Sequence, residues 1–222
     1  MSDYAKARKK MVNRQIAGRG VCDPFVLAAI RAVPREKFLP EELRAFAYDD
    51  APLPIAEGQT ISQPYIVAVM IEAAALRPGD RALEIGTGSG YAAAVMAEIT
   101  ESVFTIERHA SLAESALRRL RKLGYDTVEV RIGDGTLGLP EAAPFDVIVS
   151  AAGGPEIPAS WKAQLAVGGR LVMPVGEREG VQQLIKLTRR DENVFDHQEI
   201  ASVRFVPLVG AQGFVPQPTG TG

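Results

Sequence analysis

A glycine-rich segment with an acidic residue in front of it carries the strongest chemical signal in this sequence. It reads Leu83, Glu84, Ile85, Gly86, Thr87, Gly88, Ser89, Gly90 and Tyr91. The segment lies where a short apolar run meets a helical pattern. Glycines at such a junction allow a tight turn and let a ligand approach the backbone closely. The pattern therefore predicts a nucleotide-binding crevice.

Two further acids are predicted to share this crevice. Glu107 ends the second predicted strand, and Asp134 follows the third, between Gly133 and Gly135. Because the carboxyl ends of parallel strands meet at one edge of a sheet, Glu107 is suitably placed to accept hydrogen bonds from a ribose diol. Either acid alone is equally well explained as a helix cap or a solvated loop residue, so the prediction rests on their combination with the glycine loop.

The elements that must position these residues follow from the apolar pattern. Short apolar runs lie at 82–85, 103–107, 128–132, 145–150 and 169–174. They alternate with helical patterns at 91–99, 110–123 and 158–166. The alternation predicts βαβ units and hence an α/β fold with a doubly wound, mostly parallel sheet. Gly124 is expected to end the second helix, and Gly168-Gly169 to form the turn before the fifth strand.

The C-terminal part has a different pattern. Apolar and polar residues alternate there in three runs, at 182–188, 194–200 and 203–208. No helical pattern separates these runs, so they lack the crossovers that parallel strands require. They are predicted to be antiparallel C-terminal strands added to the sheet edge, and the chain after Gly213 is expected to be frayed.

The N-terminal extension is predicted to be helical. A basic helix is expected near 4–17, and Asp23 and Pro24 supply the cap and first turn of a second helix. A proline-rich stretch at 34–64 is longer than an ordinary connection and carries apolar residues. It is therefore predicted to be a functional loop.

The length and composition fit one domain. The chain has 222 residues, of which 46% are hydrophobic, so it can bury a substantial core. Within the single domain, we assign 1–78 to the N-terminal helices and loop, 79–176 to the nucleotide-binding core, and 177–222 to the C-terminal strands and tail.

The charged and metal-binding residues limit the possible partners. A net charge of -2 gives no overall attraction to nucleic acid. With one cysteine, Cys22, and two histidines, His109 and His197, a structural metal cluster is not expected, and we interpret both histidines as structural. The longest apolar stretch is too short to span a membrane, so a cytoplasmic protein is expected.

The spacing of the glycines distinguishes between nucleotides. It departs from the Gly-x-Gly-x-x-Gly dinucleotide fingerprint, because Tyr91 occupies the last glycine position. It resembles instead the Glu-x-Gly-x-Gly-x-Gly loop of class I methyltransferases. That resemblance implies S-adenosyl-L-methionine as the cofactor, with Glu107 at the ribose and Asp134 with Gly135 at the adenine. The cofactor-binding residues that it implies are Thr60, Ser62, Glu84, Gly86, Thr87, Gly88, Ser89, Glu107, Arg108, Asp134 and Gly135.

A second segment is more specific than the fold. Residues 51–64, Ala-Pro-Leu-Pro-Ile-Ala-Glu-Gly-Gln-Thr-Ile-Ser-Gln-Pro, closely resemble the substrate loop of the protein-L-isoaspartate O-methyltransferase family. The resemblance extends over nearly the whole chain, with further motifs at 33–38, 143–146 and 204–210. The substrate-binding residues that it implies are Ile61, Gln63, Val206, Pro207, Leu208 and Val209.

The resemblance to this family also implies an activity. The expected reaction is methyl transfer from S-adenosyl-L-methionine to the α-carboxyl of L-isoaspartyl residues in damaged proteins, without a metal. The methyl ester then recloses to a succinimide, which begins repair. Damaged proteins and peptides are the expected partners, and the chain itself is expected to be a monomer or a weak homo-oligomer.

Ser62 is the residue to which the resemblance assigns an active-site role. A carboxylic acid with a pKa of about 4 is already ionised at neutral pH, so the acceptor needs no base. The protein has mainly to align the acceptor and exclude water, and a hydroxyl group suits that task. From spacing alone, Ser62 is also a candidate N-cap for the helix that follows Gln63 and Pro64, and both roles can hold.

Three other functions stay open. A class I methyltransferase for another acceptor is possible, although the chain lacks the Asn-Pro-Pro-Tyr or Asp-Pro-Pro-Tyr signature of many amino-group acceptors. A nicotinamide-dependent oxidoreductase is disfavoured by the loop spacing, and a non-catalytic adenosyl-binding module by the intact substrate segment. Residues 150–155, Ser-Ala-Ala-Gly-Gly-Pro, are richer in glycine than the family pattern, so the shape of that pocket wall is not predicted.

Overall fold

The N-terminal extension is helical and contains a short hairpin. In the computed structural model, which describes residues 3–216, its elements are α1 (Asp3–Met11), α2 (Pro24–Ala32), the hairpin strands β1 (Leu53–Pro54) and β2 (Thr60–Ile61), and α3 (Pro64–Ala73). Between α2 and β1 lie the 3-10 helices Arg35–Phe38 and Glu41–Phe46. The stretch predicted as a loop is therefore partly ordered into short helices and a hairpin.

The first two helices largely follow the predictions. Helix α1 ends at Met11, and the helical path continues as a π-helical turn, Val12–Ile16, and a 3-10 turn, Ala17–Arg19. Helix α2 begins as predicted, because the Asp23 carboxylate accepts the amide of Phe25 at 2.9 Å and Pro24 occupies the first turn.

Within residues 3–216, seven strands form the main sheet. They are β3 (Arg81–Ile85), β4 (Ser102–Glu107), β5 (Glu129–Ile132), β6 (Phe145–Ser150), β7 (Leu165–Val175), β8 (Gln182–Asp191) and β9 (Val194–Val203). Their spatial order is β5-β4-β3-β6-β7-β8-β9, in which the first five are parallel and β8 and β9 are antiparallel. The predicted α/β fold, with a mostly parallel sheet and antiparallel C-terminal strands, is confirmed.

Helices cover both faces of the sheet. They are α4 (Tyr91–Ala97), α5 (Ala110–Lys122) and α6 (Ala159–Gln164), with 3-10 turns at Gly135–Leu137 and Pro140–Ala142. Successive strand residues point to opposite faces, so Ala82 packs into one buried cluster and Leu83 into the other, with Trp161. Gly124, with φ of 86°, follows α5 as predicted. None of the helices within residues 3–216 combines the length and hydropathy of a membrane-spanning segment.

Two predictions, a third antiparallel strand and a turn before the fifth strand, are wrong. The run at 203–208 is not a third antiparallel strand, because Val203 already pairs with Gln182, where β8 begins, and Pro207 forms an isolated parallel bridge with Gly153 instead. Gly168-Gly169 is not a turn before β7, because the strand starts at Leu165 and the two glycines lie within it. Its pairing with β6 is irregular there.

The tail is described only in part. The expected fraying does not begin directly after Gly213, because the amide of Phe214 donates to the carbonyl of Leu208 at 2.8 Å. Residues 217–222, the rest of the predicted tail, lie outside the described residues.

Candidate functional site

The glycine loop follows β3 and leads into α4. Gly86, Gly88 and Gly90 have φ of 93°, 51° and 87°, in the left-handed region that favours glycine. Arg119 of α5 donates a hydrogen bond of 2.6 Å to the carbonyl of Ser89. The loop is therefore tied to a neighbouring helix as well as to its own strand, which fixes its position at the carboxyl edge of the sheet.

Glu107 connects the glycine loop with the start of α5. Its carboxylate accepts the amide of Gly88 at 2.9 Å and the amide of His109 at 3.0 Å. Each carboxylate oxygen has a further lone pair. The side chain lines a pocket in front of the loop, here called the loop pocket, whose walls are Gln59, Thr60, Ile85, Gly86, Gly88, Ile106, Glu107, Arg108, His109, Gly135, Ala151, Ala152, Val206, Pro207, Leu208 and Val209.

Glu84 lies behind the glycine loop and does not line the loop pocket. Its carboxyl group accepts the Thr105 hydroxyl at 2.6 Å, and that hydroxyl is 2.7 Å from the Thr87 hydroxyl. Burial raises the pKa of the Glu84 carboxyl to about 8; the Thr105 hydrogen bond opposes this shift and the nearby Glu107 adds to it. The Glu84 carboxyl is therefore mostly neutral at pH 7. It supports the loop from inside the fold.

Ser62 lies where two spaces meet. One is a small cavity of about 30 Å³ behind the loop, which Glu84, Thr87, Ser89 and Ile61 also line. The other is an open cleft of about 660 Å³, a size typical of ligand sites. Thr60 lines the cleft, the small cavity and the loop pocket together. The cleft is bounded by Pro52, Thr60, Ser62, Gln63, Ile66, Ala151, Val181, Ser202, Val203, Arg204, Phe205 and Val206.

The Ser62 hydroxyl is not a helix cap. The N-cap of α3 is Gln63, which makes no capping hydrogen bond and instead donates from its side chain to the carbonyl of Asp50 at 2.9 Å. Among residues 3–216, the Ser62 hydroxyl has no hydrogen-bond partner. The cap interpretation is therefore wrong, and the hydroxyl is available to a ligand.

After β9 the chain crosses the carboxyl edge of the sheet as a strap, residues 204–214. Two backbone hydrogen bonds join the strap to Gly153. The amide of Gly153 donates to the carbonyl of Val206 at 2.8 Å, and its carbonyl accepts the amide of Leu208 at 2.7 Å. Val206 lines both the cleft and the loop pocket, whereas the next three residues line the loop pocket alone. The strap is therefore a shared wall of both spaces.

Asp134 anchors the far end of this strap. Its carboxylate accepts the amide of Ala211 at 2.8 Å and both the amide and the hydroxyl of Thr136, at 2.9 and 2.6 Å. Burial alone would raise the pKa of the Asp134 carboxyl, but these hydrogen bonds outweigh it and hold the pKa below its usual range. Of the pair expected at the adenine, Gly135 lines the loop pocket and Asp134 does not.

Gln182 explains the glycine-rich wall at 150–155. A Cβ atom at Gly153 would lie 2.5 Å from the Gln182 Nε2 atom, so a larger residue at 153 would collide with this side chain. Gln182 is 1% exposed, and its Oε1 accepts the amide of Phe205 at 3.0 Å. The absence of a side chain at Gly153 thus lets a buried glutamine fix the start of the strap.

Some residues that line the loop pocket are not among the site residues predicted from the sequence. Gln59, Ala151 and Ala152 line the loop pocket, and so does His109, for which the sequence predicts only a structural role. Its Nε2 atom is buried without a partner among the described residues. The available clue was position, because His109 follows the predicted ribose acid Glu107 by two residues. Within residues 3–216, there is no group of three or more His, Cys, Asp or Glu that could hold a metal ion.

Sequence comparisons give a consistent result. Residues 6–213 match the model of a family described as protein-L-isoaspartate(D-aspartate) O-methyltransferase. A protein-L-isoaspartate O-methyltransferase of Rhodopseudomonas palustris is 59% identical over 211 residues, which are 95% of this chain and 97% of the relative. Another, from Pelobacter propionicus, is 56% identical over 207 residues, which are 93% of this chain and 92% of the relative.

Solved structures are similar over nearly the whole chain. A protein-L-isoaspartate O-methyltransferase superposes with a TM-score of 0.83 at 32% identity, over 93% of this chain and 67% of the other. A Plasmodium falciparum protein assigned as such an enzyme, solved in complex with S-adenosyl-L-homocysteine, gives a TM-score of 0.78 at 25% identity, over 94% of this chain and 99% of the other. Both matches include the N-terminal extension as well as the sheet.

Proposed function

Because this chain belongs to the protein-L-isoaspartate(D-aspartate) O-methyltransferase family, we propose that the loop pocket and small cavity are its methyl-donor site and that the cleft is its acceptor site. The chain is an S-adenosyl-L-methionine-dependent enzyme that methylates the α-carboxyl of L-isoaspartyl residues in damaged proteins. The methyl ester recloses to a succinimide, which starts repair.

The loop pocket has the groups that the donor requires. Glu107 has a lone pair available on each oxygen for the ribose diol, and Ile106 with Gly135 provides an apolar wall for the adenine. The P. falciparum neighbour binds S-adenosyl-L-homocysteine, the product form of the same ligand. When bound, the donor supplies a methyl group activated on a sulfonium sulfur.

The other residues assigned to the donor site either surround the methionine end of the donor or lie outside the loop pocket. We assign the methionine end to the small cavity, where Thr60 and Ser62 face the glycine loop. Arg108 contributes to the pocket wall beside Glu107. Asp134 shapes the adenine side through the strap rather than by contact. The cavity residues assigned to the donor are Thr60, Ser62, Glu84, Gly86, Thr87, Gly88 and Ser89.

The acceptor needs alignment rather than a base. Its carboxylate is ionised at neutral pH, and orientation alone can lower such a barrier by about 7 to 11 kcal/mol. Ser62 can donate its free hydroxyl to this carboxylate, while Gln63 and Val206 border the peptide in the cleft. Ile61, which is 3% exposed, and Pro207, Leu208 and Val209 shape the wall between the two sites.

One observation carries the proposal: Thr60 and Ser62 line the cleft and the small cavity at once. A group that bridges the two spaces is placed to touch both the acceptor and the methionine end of the donor. Transfer of a methyl group requires those two reactants to be in contact, in line and without intervening water.

The test combines two synthetic peptides with two variants. The peptides are identical except for L-isoaspartyl or L-aspartyl at one position, and labelled methyl should enter only the isoaspartyl peptide and leave as methanol in mild base. Ser62→Ala should lower kcat about 100-fold, as a misplaced reactant does, with Tm unchanged and donor affinity changed far less than kcat. Ser102→Ala is the control and should behave as wild type. Ser102 lies at the amino end of β4, away from the carboxyl edge of the sheet where the candidate site lies. Full activity of Ser62→Ala would reject the role of this hydroxyl.

Other properties are part of the same proposal. We expect the chain to work as a single domain, as a monomer or weak homo-oligomer, in the cytoplasm, where its free, exposed Cys22 can stay reduced. The net charge of -2 favours no association with nucleic acid. Sedimentation velocity over a range of concentrations and cell fractionation test the oligomeric state and the location.

A further inference from the structure

The tip of the β1–β2 hairpin has an unusual backbone. The amide of Ile55 donates to the carbonyl of Gln59 at 2.8 Å, and the turn between them contains Glu57 and Gly58 with φ of 58° and 64°. Glycine adopts this left-handed conformation freely, whereas a glutamate there is strained. A glutamate at position 57 is therefore held at some cost in backbone energy.

The Glu57 side chain contacts α5, far along the chain. Ser111 donates its hydroxyl to the Glu57 Oε1 atom at 2.5 Å, and His109 Nδ1 lies 3.8 Å from Oε2. His109 is the N-cap of α5 but makes no capping hydrogen bond with its side chain. The Glu57 carboxylate thus lies at the positive end of a helix of 13 residues, which favours a negative charge.

The position of this contact relates it to the donor. Gln59 and Thr60, which follow Glu57 in the hairpin, line the loop pocket, and His109 lines it too. Glu57 therefore joins the hairpin to the element that begins just after the ribose acid Glu107. The contact therefore links two segments that both contribute residues to the loop pocket.

We propose that Glu57 is a latch that holds the β1–β2 hairpin over bound S-adenosyl-L-methionine and slows its release. Glu57 is a positioning residue, since it acts through Thr60 and His109 and does not itself line the loop pocket. The proposal rests on the assignment of the loop pocket as the donor site. Because the side chain is 41% exposed, its effect on folding stability should be small while its effect on the hairpin is direct.

The test separates donor binding from stability. Glu57→Gly removes the latch and also the backbone strain, so Tm should stay level or rise while the Kd for S-adenosyl-L-homocysteine rises about threefold to tenfold and dissociation accelerates. Ser111→Ala should act in the same direction, and the double variant should be no worse than Glu57→Gly alone. Glu114→Gln, which breaks only a 3.8 Å ion pair with Arg118 on the same helix, is the matched control.

Kinetics give a second readout that a merely structural role would not produce. In Glu57→Gly the KM for the donor should rise, while kcat at saturating donor should not fall. Unchanged Kd and dissociation rate in Glu57→Gly would overturn the latch, and so would a loss of affinity matched by a loss of Tm. Failure of the wild-type protein to bind S-adenosyl-L-homocysteine would instead overturn the donor-site assignment together with the latch.

Discussion

The carboxylate of Asp134 accepts the amide of Ala211 at 2.8 Å, although 77 residues separate them in the chain. Asp134 follows β5, at one side of the sheet, and Ala211 belongs to the strap that returns across its carboxyl edge. A second anchor holds the strap on the other side, where Gln182 accepts the amide of Phe205. The wall shared by the loop pocket and the cleft is therefore fixed at both ends.

Asp134→Asn should loosen the far end of the strap. One oxygen is replaced by an NH₂ group, which would face either the Ala211 amide or the Thr136 donors, so a favourable contact becomes a repulsive one. We expect a loss of about 1 to 3 kcal/mol in the free energy of unfolding and a higher KM for the isoaspartyl peptide, measured by urea denaturation and steady-state kinetics. Asp126→Asn, at an exposed site, is the control. Wild-type stability in Asp134→Asn would show that the anchor contributes little.

Glu107→Gln should weaken donor binding. A carboxylate accepts the amides of Gly88 and His109 together, whereas the glutamine NH₂ group must face one of these two donors. Hydrogen bonds to charged groups contribute about 1.5 to 3 kcal/mol, so calorimetry should show at least about a tenfold higher Kd for S-adenosyl-L-homocysteine. Glu101→Gln, an exposed residue before β4, should bind normally. Equal affinity in the two variants would contradict the ribose assignment.

Glu84 should give the protein a measurable pH dependence of stability. Its pKa is raised from 4.5 to about 8 in the folded state, so between these values the folded protein retains a proton that the unfolded chain has released. Wild type should therefore lose stability relative to Glu84→Gln as the pH rises from 4.5 to about 8, by up to about 1.4 kcal/mol per pH unit. Chemical denaturation of both proteins across this range measures the difference. Parallel curves would mean that Glu84 is ionised in the fold.

Local patterns predicted much of the fold and placed the glycine loop beside Glu107 in the candidate site. The glycine loop, the Asp23 cap and the strand and helix alternation depend on residues that are neighbours in the chain, so they are visible in the sequence. The same holds for Glu107, whose position at the end of a strand places it beside the loop. Their chemistry needs no knowledge of distant contacts.

Contacts between distant segments could not be predicted in this way. The alternating pattern at 203–208 is the same in a strand and in a segment that leaves the sheet. Pairing with β8 ends at Val203 because β8 begins at its partner, Gln182. Likewise, the hydrogen bond between Asp134 and the amide of Ala211 joins segments that are 77 residues apart and has no local signal in the sequence. His109 was missed because a histidine at a helix start has many ordinary uses.

The fit of the Gln182 side chain over the bare backbone of Gly153 makes these two positions interdependent. A relative that carries a larger residue at position 153 must have a shorter side chain at position 182. It would then lose the hydrogen bond to the amide of Phe205. Substitutions at the two sites should therefore occur together between relatives. Transplanting the strap alone into another member of the family should fail unless both positions are transferred with it.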